Sequence, residues 1–255
     1  MCGIVGYIGK RDAVPILMEG LRRLEYRGYD SAGIAVVRSS ELRLVKCQGR
    51  VRDLENNVPN RFRGSPGIAH TRWATHGEPS DRNAHPHCDA ANRISVVHNG
   101  IIENAAALRA RLVSEGVTFS SDTDTEVLPH LIAAMPGESL ADSVRQALRL
   151  VSGTYALVVM DAERPDSIIA ARNGGPIVLG VGEREMFIAS DPAALVRQRI
   201  ERKLRLFRGE IDQKKIASLY RSLLGAGFSS DLIRRELHRV THGDVPEVEA
   251  PDDSV

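Results

Sequence analysis

The first residue that could do chemistry stands second in the chain. Met1 is followed by Cys2, which opens the apolar run Gly3-Ile4-Val5-Gly6. A small second residue such as cysteine normally allows the initiator methionine to be removed, and Cys2 would then carry both a thiol and a free α-amine. That amine can serve as the base that activates the thiol, because its reference pKa of about 7.7–8.0 lies close to neutral pH. The alternative is that Cys2 has no chemical role and is only a small apolar residue at the start of a buried strand.

The residue patterns around and after Cys2 predict a domain of strands and helices. Short apolar runs predict strands over residues 2–8, 34–37, 42–47, 67–72, 94–98, 154–160, 167–171, 176–181 and 186–190. Helical spacing predicts helices over 13–25, 103–115 and 140–151. A further helix is expected after Thr123, with a kink or a late start because of Pro129. Strands, then helices, then strands again favour an α+β fold with largely antiparallel sheets.

The composition argues against several classes of protein. The chain has 255 residues, of which 42% are apolar and 26% charged, and its net charge is +1. This balance gives no indication of a nucleic-acid partner. No apolar run reaches about 18 residues and no secretory signal is recognisable, so we expect no contact with a membrane. Three scattered cysteines, without a CxxC or HExxH motif, predict a cytoplasmic protein with no disulfide, no metal and no other cofactor.

The last quarter of the chain has a different character. Residues 192–208 are strongly basic, and apolar residues at helical spacing follow over 216–224 and 232–240. The final stretch contains two prolines and five acidic residues, which is typical of a disordered tail. We therefore predict a main domain over residues 2–195, a helical extension over 196–241 and a disordered acidic tail over 242–255.

Six sequence blocks stand in the order and approximate spacing of one enzyme family. They are Cys2–Gly6, Arg23–Gly33, His70–Gly77, Asn83–His87, His98–Asn104 and Asp122–Glu126. With these blocks, residues 2 to about 195 resemble the glutaminase half of glucosamine-6-phosphate synthase, also called glutamine–fructose-6-phosphate aminotransferase (isomerizing). The resemblance implies the N-terminal-nucleophile hydrolase fold, a four-layer αββα sandwich of two antiparallel sheets. It also implies an enzyme, a class II glutamine amidotransferase of amino-sugar biosynthesis.

The resemblance implies a reaction at Cys2. The thiol would attack the side-chain amide of L-glutamine, form a γ-glutamyl thioester and release ammonia. The α-amine would act first as base and then as acid. The side-chain N–H of Asn99 and the backbone N–H of Gly100 would form the oxyanion hole, where one preorganised donor contributes about 2.7–4 kcal/mol.

A second set of residues would bind the substrate if the resemblance holds. Arg72 would bind the α-carboxylate of glutamine with its planar guanidinium, and Asp124 would bind the α-ammonium. Arg27 would have a supporting role, and Trp73 would gate the exit of ammonia. The residues that would complete the pocket are Thr75, His76 and Gly77.

Each of these residues has a simpler alternative when it is taken alone. Arg72 could form a surface salt bridge, Asp124 could be an acid at a helix start, and Asn99-Gly100 is a strong turn signal. Arg27 could only anchor its loop, and Trp73 could only pack in the core. The histidines that we expect to form hydrogen bonds within the scaffold are His70, His85, His87 and His98.

The chain departs from the family pattern after about residue 195. No sugar-isomerase half with a fructose 6-phosphate site is recognisable, so the glutaminase would either act alone or supply ammonia to a separate synthase or isomerase chain. Glu201–Arg205 and Leu223–Arg234 instead resemble the three-helix repeat of the RecX recombination-regulator family. The alternative is a group of helices that covers an exposed sheet edge. The second functional hypothesis is a non-catalytic glutamine-binding or regulatory protein with a partner-binding helical tail.

Overall fold

The computed structural model of the chain describes residues 2–74, 77–207, 212–226 and 228–241. These residues divide into two units, one within residues 1–191 and the other within 192–255. The predicted division of the chain at residue 195 stays a prediction, and the predicted acidic tail lies outside the described residues. Within the described ranges, no helix is long and apolar enough to cross a membrane.

Strands and helices lie close to the positions that the sequence pattern predicts. The strands are β1 (Gly3–Gly9), β2 (Ser31–Arg38), β3 (Glu41–Gln48), β4 (Gly67–Arg72), β5 (His87–Cys88), β6 (Ile94–Ile102), β7 (Gly153–Asp161), β8 (Ile168–Asn173), β9 (Val178–Val181) and β10 (Glu185–Ala189). The helices are α1 (Ala13–Leu24), α2 (Val51–Asn57), α3 (Ala105–Ser114), α4 (Val127–Ala134), α5 (Leu140–Leu148), α6 (Val196–Leu206), α7 (Gln213–Leu224) and α8 (Ser230–Thr241). Pro129 is the third residue of α4, where its missing N–H costs no helical hydrogen bond, which confirms the late start.

The first sheet holds Cys2 at one end of an inner strand. Its strand order is β3-β2-β4-β1-β10-β9, and all neighbouring strands are antiparallel. β1 lies between β4 and β10, with Gly3 opposite Thr71 and Val5 opposite both Ala69 and Ala189. Because Cys2 directly precedes β1, it lies where β1 begins and β4 ends.

The second sheet has the order β5-β6-β7-β8 and is also antiparallel. β6 pairs with β7 along its whole length, Ile94–Ile102. The alternative of a turn at Asn99-Gly100 is therefore wrong, because the strand continues through both residues. Gly100 has a φ of +136°, and a Cβ at this position would lie 2.0 Å from the Thr154 carbonyl oxygen, so the position requires glycine.

The two sheets face each other, and helices cover their outer surfaces. Ile4 and Ile68 of the first sheet are buried in one core with Val97 and Val158 of the second. On the outside, α1 packs on β1 and β4, and α3, α4 and α5 share another core with β6 and β7. This four-layer αββα arrangement confirms the fold class predicted from the sequence.

The second unit has a hydrophobic core of its own. Its three helices, α6, α7 and α8, bury apolar side chains at intervals of three or four residues. The central residues of this core are Val196, Ile200, Ile216, Leu219, Leu223, Ile233 and Leu237. The hydroxyl of Tyr220, buried in the same core, makes a 2.6 Å hydrogen bond with Ser230 Oγ. The resemblance of this region to the RecX repeat stays a prediction.

Buried histidines lie around the end of β4 in the first unit. The ring centroids of His70 and His85 are 4.3 Å apart, and those of His85 and His87 are 4.7 Å apart. Burial lowers the pKa of His70 to about 3 and lowers the pKa values of His85 and His87 well below their ordinary value of 6.5. All three imidazoles are therefore neutral at physiological pH.

The buried histidines should make the fold sensitive to mild acid. The unfolded chain protonates these residues below about pH 6.5, whereas the folded chain keeps them neutral, so the free energy of unfolding must fall as the pH falls. Each buried histidine should contribute about 1.4 kcal/mol per pH unit well below that value. Urea unfolding followed by circular dichroism between pH 7.5 and pH 5.0 measures this slope. A free energy of unfolding that stays constant over this range would contradict the burial of neutral imidazoles.

Candidate active site

Strand alternation brings polar side chains from both sheets to one place. Along β4, Ile68 lies in the core between the sheets, and His70 and Arg72 follow on the same face. Along β6, Val97 lies in the same core, so Asn99 also faces the first sheet. The polar ends of these two strands therefore meet beside the start of β1, where Cys2 lies.

The thiol of Cys2 is held against the chain that follows β4. Its Sγ accepts a hydrogen bond of 3.3 Å from the backbone N–H of Trp73. Burial raises the pKa of the thiol, and the Trp73 N–H and the nearby charge of Arg72 only partly offset this effect. Asp30 adds to the rise through its negative charge. The thiol therefore stays largely protonated at neutral pH and needs a base before it can act as a nucleophile.

The side chain of Asn99 connects the two sheets at Cys2. Its Nδ2 donates a hydrogen bond of 3.1 Å to the Cys2 carbonyl oxygen. Its Oδ1 lies 2.9 Å from Nε2 of His70. An amide nitrogen carries two N–H bonds, so one of them is left to donate to another acceptor. The adjacent Gly100 presents its backbone without a side chain to obstruct the approach.

Arg72 is buried beside the same thiol. Arg72 is only 4% exposed. One of its guanidinium nitrogens donates a hydrogen bond of 3.1 Å to the Gly77 carbonyl oxygen. Burial lowers the pKa of the guanidinium, while the charges of Cys2, Asp124 and Asp30 favour the protonated form. Because an arginine starts from so high a pKa, it remains a cation here. The alternative of a surface salt bridge for Arg72 is therefore wrong.

Asp124 lies in the loop that precedes α4. Its Oδ2 accepts a hydrogen bond of 2.8 Å from the backbone N–H of Ile102 in β6. The carboxylate of Glu126 fixes the loop, because it accepts four hydrogen bonds of 2.6–2.8 Å from the backbone N–H groups and hydroxyls of Ser120 and Ser121. Asp124 thus contacts a strand rather than the end of a helix, and the alternative of a helix-start acid is wrong.

Two cavities meet at Cys2. The smaller one is polar and charged, and its lining consists of Cys2, Arg72, Trp73, His85, His98, Gly100, Thr123, Asp124 and Thr125. The larger one measures about 380 Å³ and is lined by Cys2, Arg27, Trp73, Asn99, Gly100, Ile101, Thr154, Tyr155, Gly174, Gly175 and Pro176. Cys2, Trp73 and Gly100 belong to both linings, so the thiol lies at the junction of the two spaces.

Arg27 and Trp73 border the larger cavity in different ways. A guanidinium nitrogen of Arg27 lies 2.6 Å from Asp191 Oδ2, an ion pair that ties the loop after α1 to the end of β10. Trp73 is 45% exposed, and its ring packs edge-on against Tyr29 at 5.4 Å between centroids. The alternative that Trp73 packs in the core is therefore wrong. Arg27 does anchor its loop, through the ion pair with Asp191.

The structure brings together most of the residues singled out from the sequence. Cys2, Arg72, Trp73, Gly100 and Asp124 line the smaller cavity, and Asn99 and Arg27 line the larger one. Gly77 is in neither lining, but its carbonyl oxygen accepts a hydrogen bond from Arg72. Thr75 and His76 lie outside the described residues. Four further residues of the smaller cavity were not predicted to line it, although all of them stand in the blocks that carry the family resemblance. They are His85, His98, Thr123 and Thr125.

The site offers a pocket whose two opposite charges suit a zwitterion. Among the described residues, no group of three or more His, Cys, Asp or Glu side chains could hold a metal ion. The cation of Arg72, the carboxylate of Asp124 and the thiol of Cys2 line the same small cavity. Such a site can bind an α-amino acid by both of its charges and present its side chain to Cys2.

Comparison with known proteins identifies relatives of the first unit. Residues 70–197 match a family model described as a glutamine amidotransferase domain. The chain is 55% identical over 199 residues to a glutamine–fructose-6-phosphate aminotransferase (isomerizing) of Symbiobacterium thermophilum. It is 52% identical over 205 residues to the enzyme of the same name from Mycobacterium tuberculosis. Each match covers 77% of this chain but 32% or 33% of the relative, so the chain spans about a third of their length.

Solved structures show the same fold. The glutamine phosphoribosylpyrophosphate amidotransferase from B. subtilis, complexed with ADP and GMP, matches with a TM-score of 0.67 at 29% identity. The match covers 76% of this chain and 43% of that chain. A structure described as the allosteric regulatory enzyme of purine biosynthesis matches with the same TM-score at 31% identity and the same coverage. Family match, relatives and fold agree, and the chain belongs to the class II glutamine amidotransferase family.

Proposed function

We propose that the chain hydrolyses L-glutamine to L-glutamate and ammonia through a γ-glutamyl thioester on Cys2. The observation that carries this proposal is the small charged cavity at the thiol, with Arg72, Asp124 and Gly100 in its lining and Asn99 hydrogen-bonded to the Cys2 carbonyl oxygen. Membership of the amidotransferase family supports it. No other residue type in the lining is as strong a nucleophile as a deprotonated thiol.

The two charges of the pocket select the substrate. The guanidinium of Arg72 binds the α-carboxylate of glutamine, because its planar fork matches a carboxylate. The carboxylate of Asp124 binds the α-ammonium group. With both ends of the amino acid held, the side-chain amide extends toward Cys2, and an amino acid with a shorter side chain leaves its amide out of reach.

The reaction needs a base, since burial keeps the Cys2 thiol protonated. After removal of Met1, the α-amine of Cys2 accepts the thiol proton as Sγ attacks the amide carbon. The resulting oxyanion is bound by the second N–H of Asn99 Nδ2 and by the backbone N–H of Gly100. The amine then returns the proton to the leaving nitrogen, and ammonia departs. Water attacks the thioester, which releases glutamate and restores the thiol.

The larger cavity gives ammonia a way out. It shares Cys2 with the charged pocket and is bordered by Trp73, which gates it, and by Arg27. The relatives that cover the chain are named for transfer of this nitrogen to fructose 6-phosphate, a step of amino-sugar synthesis. We place the acceptor on a separate synthase or isomerase chain, in the cytoplasm, where Cys2, Cys47 and Cys88 remain free thiols.

A glutaminase assay separates this proposal from a non-catalytic glutamine-binding protein. The purified chain should release ammonia from glutamine, and a glutamine analogue with an electrophilic group at the δ-carbon position should label Cys2 alone among the three cysteines. Peptide mass spectrometry identifies the labelled residue, and Cys2→Ala is the matched control for both measurements. Glutamine binding by calorimetry without turnover or labelling would instead favour the non-catalytic function.

Insertion of a lysine between Met1 and Cys2 should abolish hydrolysis. Methionine is not removed ahead of lysine, so the cysteine would still directly precede Gly3 but would lose the free α-amine that serves as its base. Mass spectrometry of the intact protein checks that both extra residues remain, and circular dichroism checks the fold. Full activity in this variant would exclude the α-amine as the base.

Arg72→Lys should raise KM for glutamine by about 10- to 100-fold with a smaller effect on stability. Lysine keeps the positive charge but cannot bind a carboxylate through two parallel N–H groups. Steady-state kinetics with glutamine measures the change, and thermal unfolding measures stability. Arg111→Lys, an exposed residue paired with Glu115 on α3, is the matched control. A KM within twofold of the parent chain would contradict the assignment of Arg72.

A further inference from the structure

The side-chain amide of Asn99 has to point its nitrogen at Cys2 for an oxyanion hole to form. An asparagine amide has a donor end and an acceptor end of nearly equal size, and rotation by half a turn exchanges them. The structure surrounds this amide with two different partners, the Cys2 carbonyl oxygen at 3.1 Å and the Nε2 atom of His70 at 2.9 Å. The partner at the acceptor end decides whether the orientation is stable.

We propose that His70 is a positioning residue that holds the amide of Asn99 in its productive orientation by donating a hydrogen bond from Nε2. The inference rests on the proposed function, because it deepens the role of Asn99 in glutamine hydrolysis. His70 itself acts through Asn99, and it is absent from the linings of both cavities.

The hydrogen-bond partners of His70 determine which of its nitrogens carries the proton. Nε2 lies 3.1 Å from the backbone carbonyl oxygen of His98 as well as 2.9 Å from Oδ1 of Asn99. A carbonyl oxygen can only accept, so Nε2 must be the protonated nitrogen. The opposite ring nitrogen, Nδ1, is buried without a hydrogen-bond partner, which suits an unprotonated atom better than an N–H group.

The fixed tautomer of His70 in turn fixes Asn99. If the amide of Asn99 rotated by half a turn, its NH₂ group would face the N–H of His70, and its oxygen would face the carbonyl oxygen of Cys2. Both contacts would be repulsive, and buried polar groups would lose their partners. Donor therefore meets acceptor at each end of the amide in only one of the two orientations.

The surroundings of His70 keep it rigid and neutral. The side chain is fully buried, it stands in the middle of the first sheet opposite Ile4 and Gly33, and its ring packs 4.3 Å from the ring of His85. A side chain confined on every side loses no further conformational freedom when Asn99 meets a substrate. The donor of the oxyanion hole is thus oriented before glutamine binds.

Two substitutions at position 70 separate the hydrogen bond from the packing. His70→Leu removes the donor, and we expect kcat for glutamine hydrolysis to fall about 10- to 100-fold while KM changes less than threefold. His70→Gln places an amide N–H near the position of Nε2, and we expect it to restore kcat to within about fivefold of the parent chain. Equal losses in kcat for both variants, with circular dichroism unchanged, would overturn the proposal.

A double-mutant cycle with Asn99→Ala tests whether His70 acts through Asn99. If it does, His70→Leu costs little additional activity once Asn99 is alanine, whereas a general structural effect would multiply with that of Asn99→Ala. The rate of Cys2 alkylation by iodoacetamide, which needs no oxyanion hole, should be unchanged within twofold by His70→Leu. Fully multiplicative effects of the two substitutions would overturn the proposal.

The protonation state of His70 is a readout that does not depend on turnover. Nitrogen-15 chemical shifts of the imidazoles at pH 7, assigned by comparison with His70→Gln, should show a protonated Nε2 and an unprotonated Nδ1. A protonated Nδ1 would overturn the positioning role even if the chain hydrolyses glutamine normally. A parent chain that lacks glutaminase activity would overturn the proposed function, and with it the catalytic meaning of the contact, whatever tautomer the spectra show.

Discussion

The hydrogen bond between Asn99 and the Cys2 carbonyl oxygen is the contact on which the site depends, because it joins the start of β1 in the first sheet to β6 in the second, beside the hydrogen bonds of His70 to the same strand. Cys2 begins a strand of the first sheet, and Asn99 lies in β6 of the second. The distance between them is set by the shared core between the sheets, whose members include Ile68 and Val97. A shift of β6 by one residue would turn Asn99 toward the helices. The apolar core therefore acts on the chemistry through strand register.

The charges of the site are arranged so that Arg72 stays ionised in a buried position. Burial of an unpaired cation is costly, and here the carboxylates of Asp124 and Asp30 offset part of that cost before any substrate binds. The buried imidazoles of His70 and His85 near Arg72 are neutral, so they fill space without adding positive charge. The pocket consequently keeps one cation and one anion to face the α-carboxylate and α-ammonium groups of an amino acid.

Much of the first unit could be predicted from the sequence, because strand and helix periodicity are local properties and the pairing of thiol and amine at Cys2 needs no tertiary information. The conformation of Asn99-Gly100 could not be predicted in this way. The dipeptide is locally typical of a turn, and it is part of a strand only because it pairs with β7. The partner of the Asp124 carboxylate, the N–H of Ile102, is set by the packing of a loop on β6. The positions of His85 and His98 in the lining of the smaller cavity likewise depend on how the two sheets pack face to face.

The different linings of the two cavities give the products of the proposed reaction different fates. Glutamate keeps both charges that Arg72 and Asp124 hold, so it stays in the charged cavity after the thioester is hydrolysed. The other cavity adds Ile101, Tyr155 and Pro176 to the lining. An apolar surface admits neutral ammonia at little cost but opposes ammonium, whose desolvation is expensive. Under the proposed function, the apolar part of this lining would therefore favour neutral ammonia, the form that can act as a nucleophile, over ammonium.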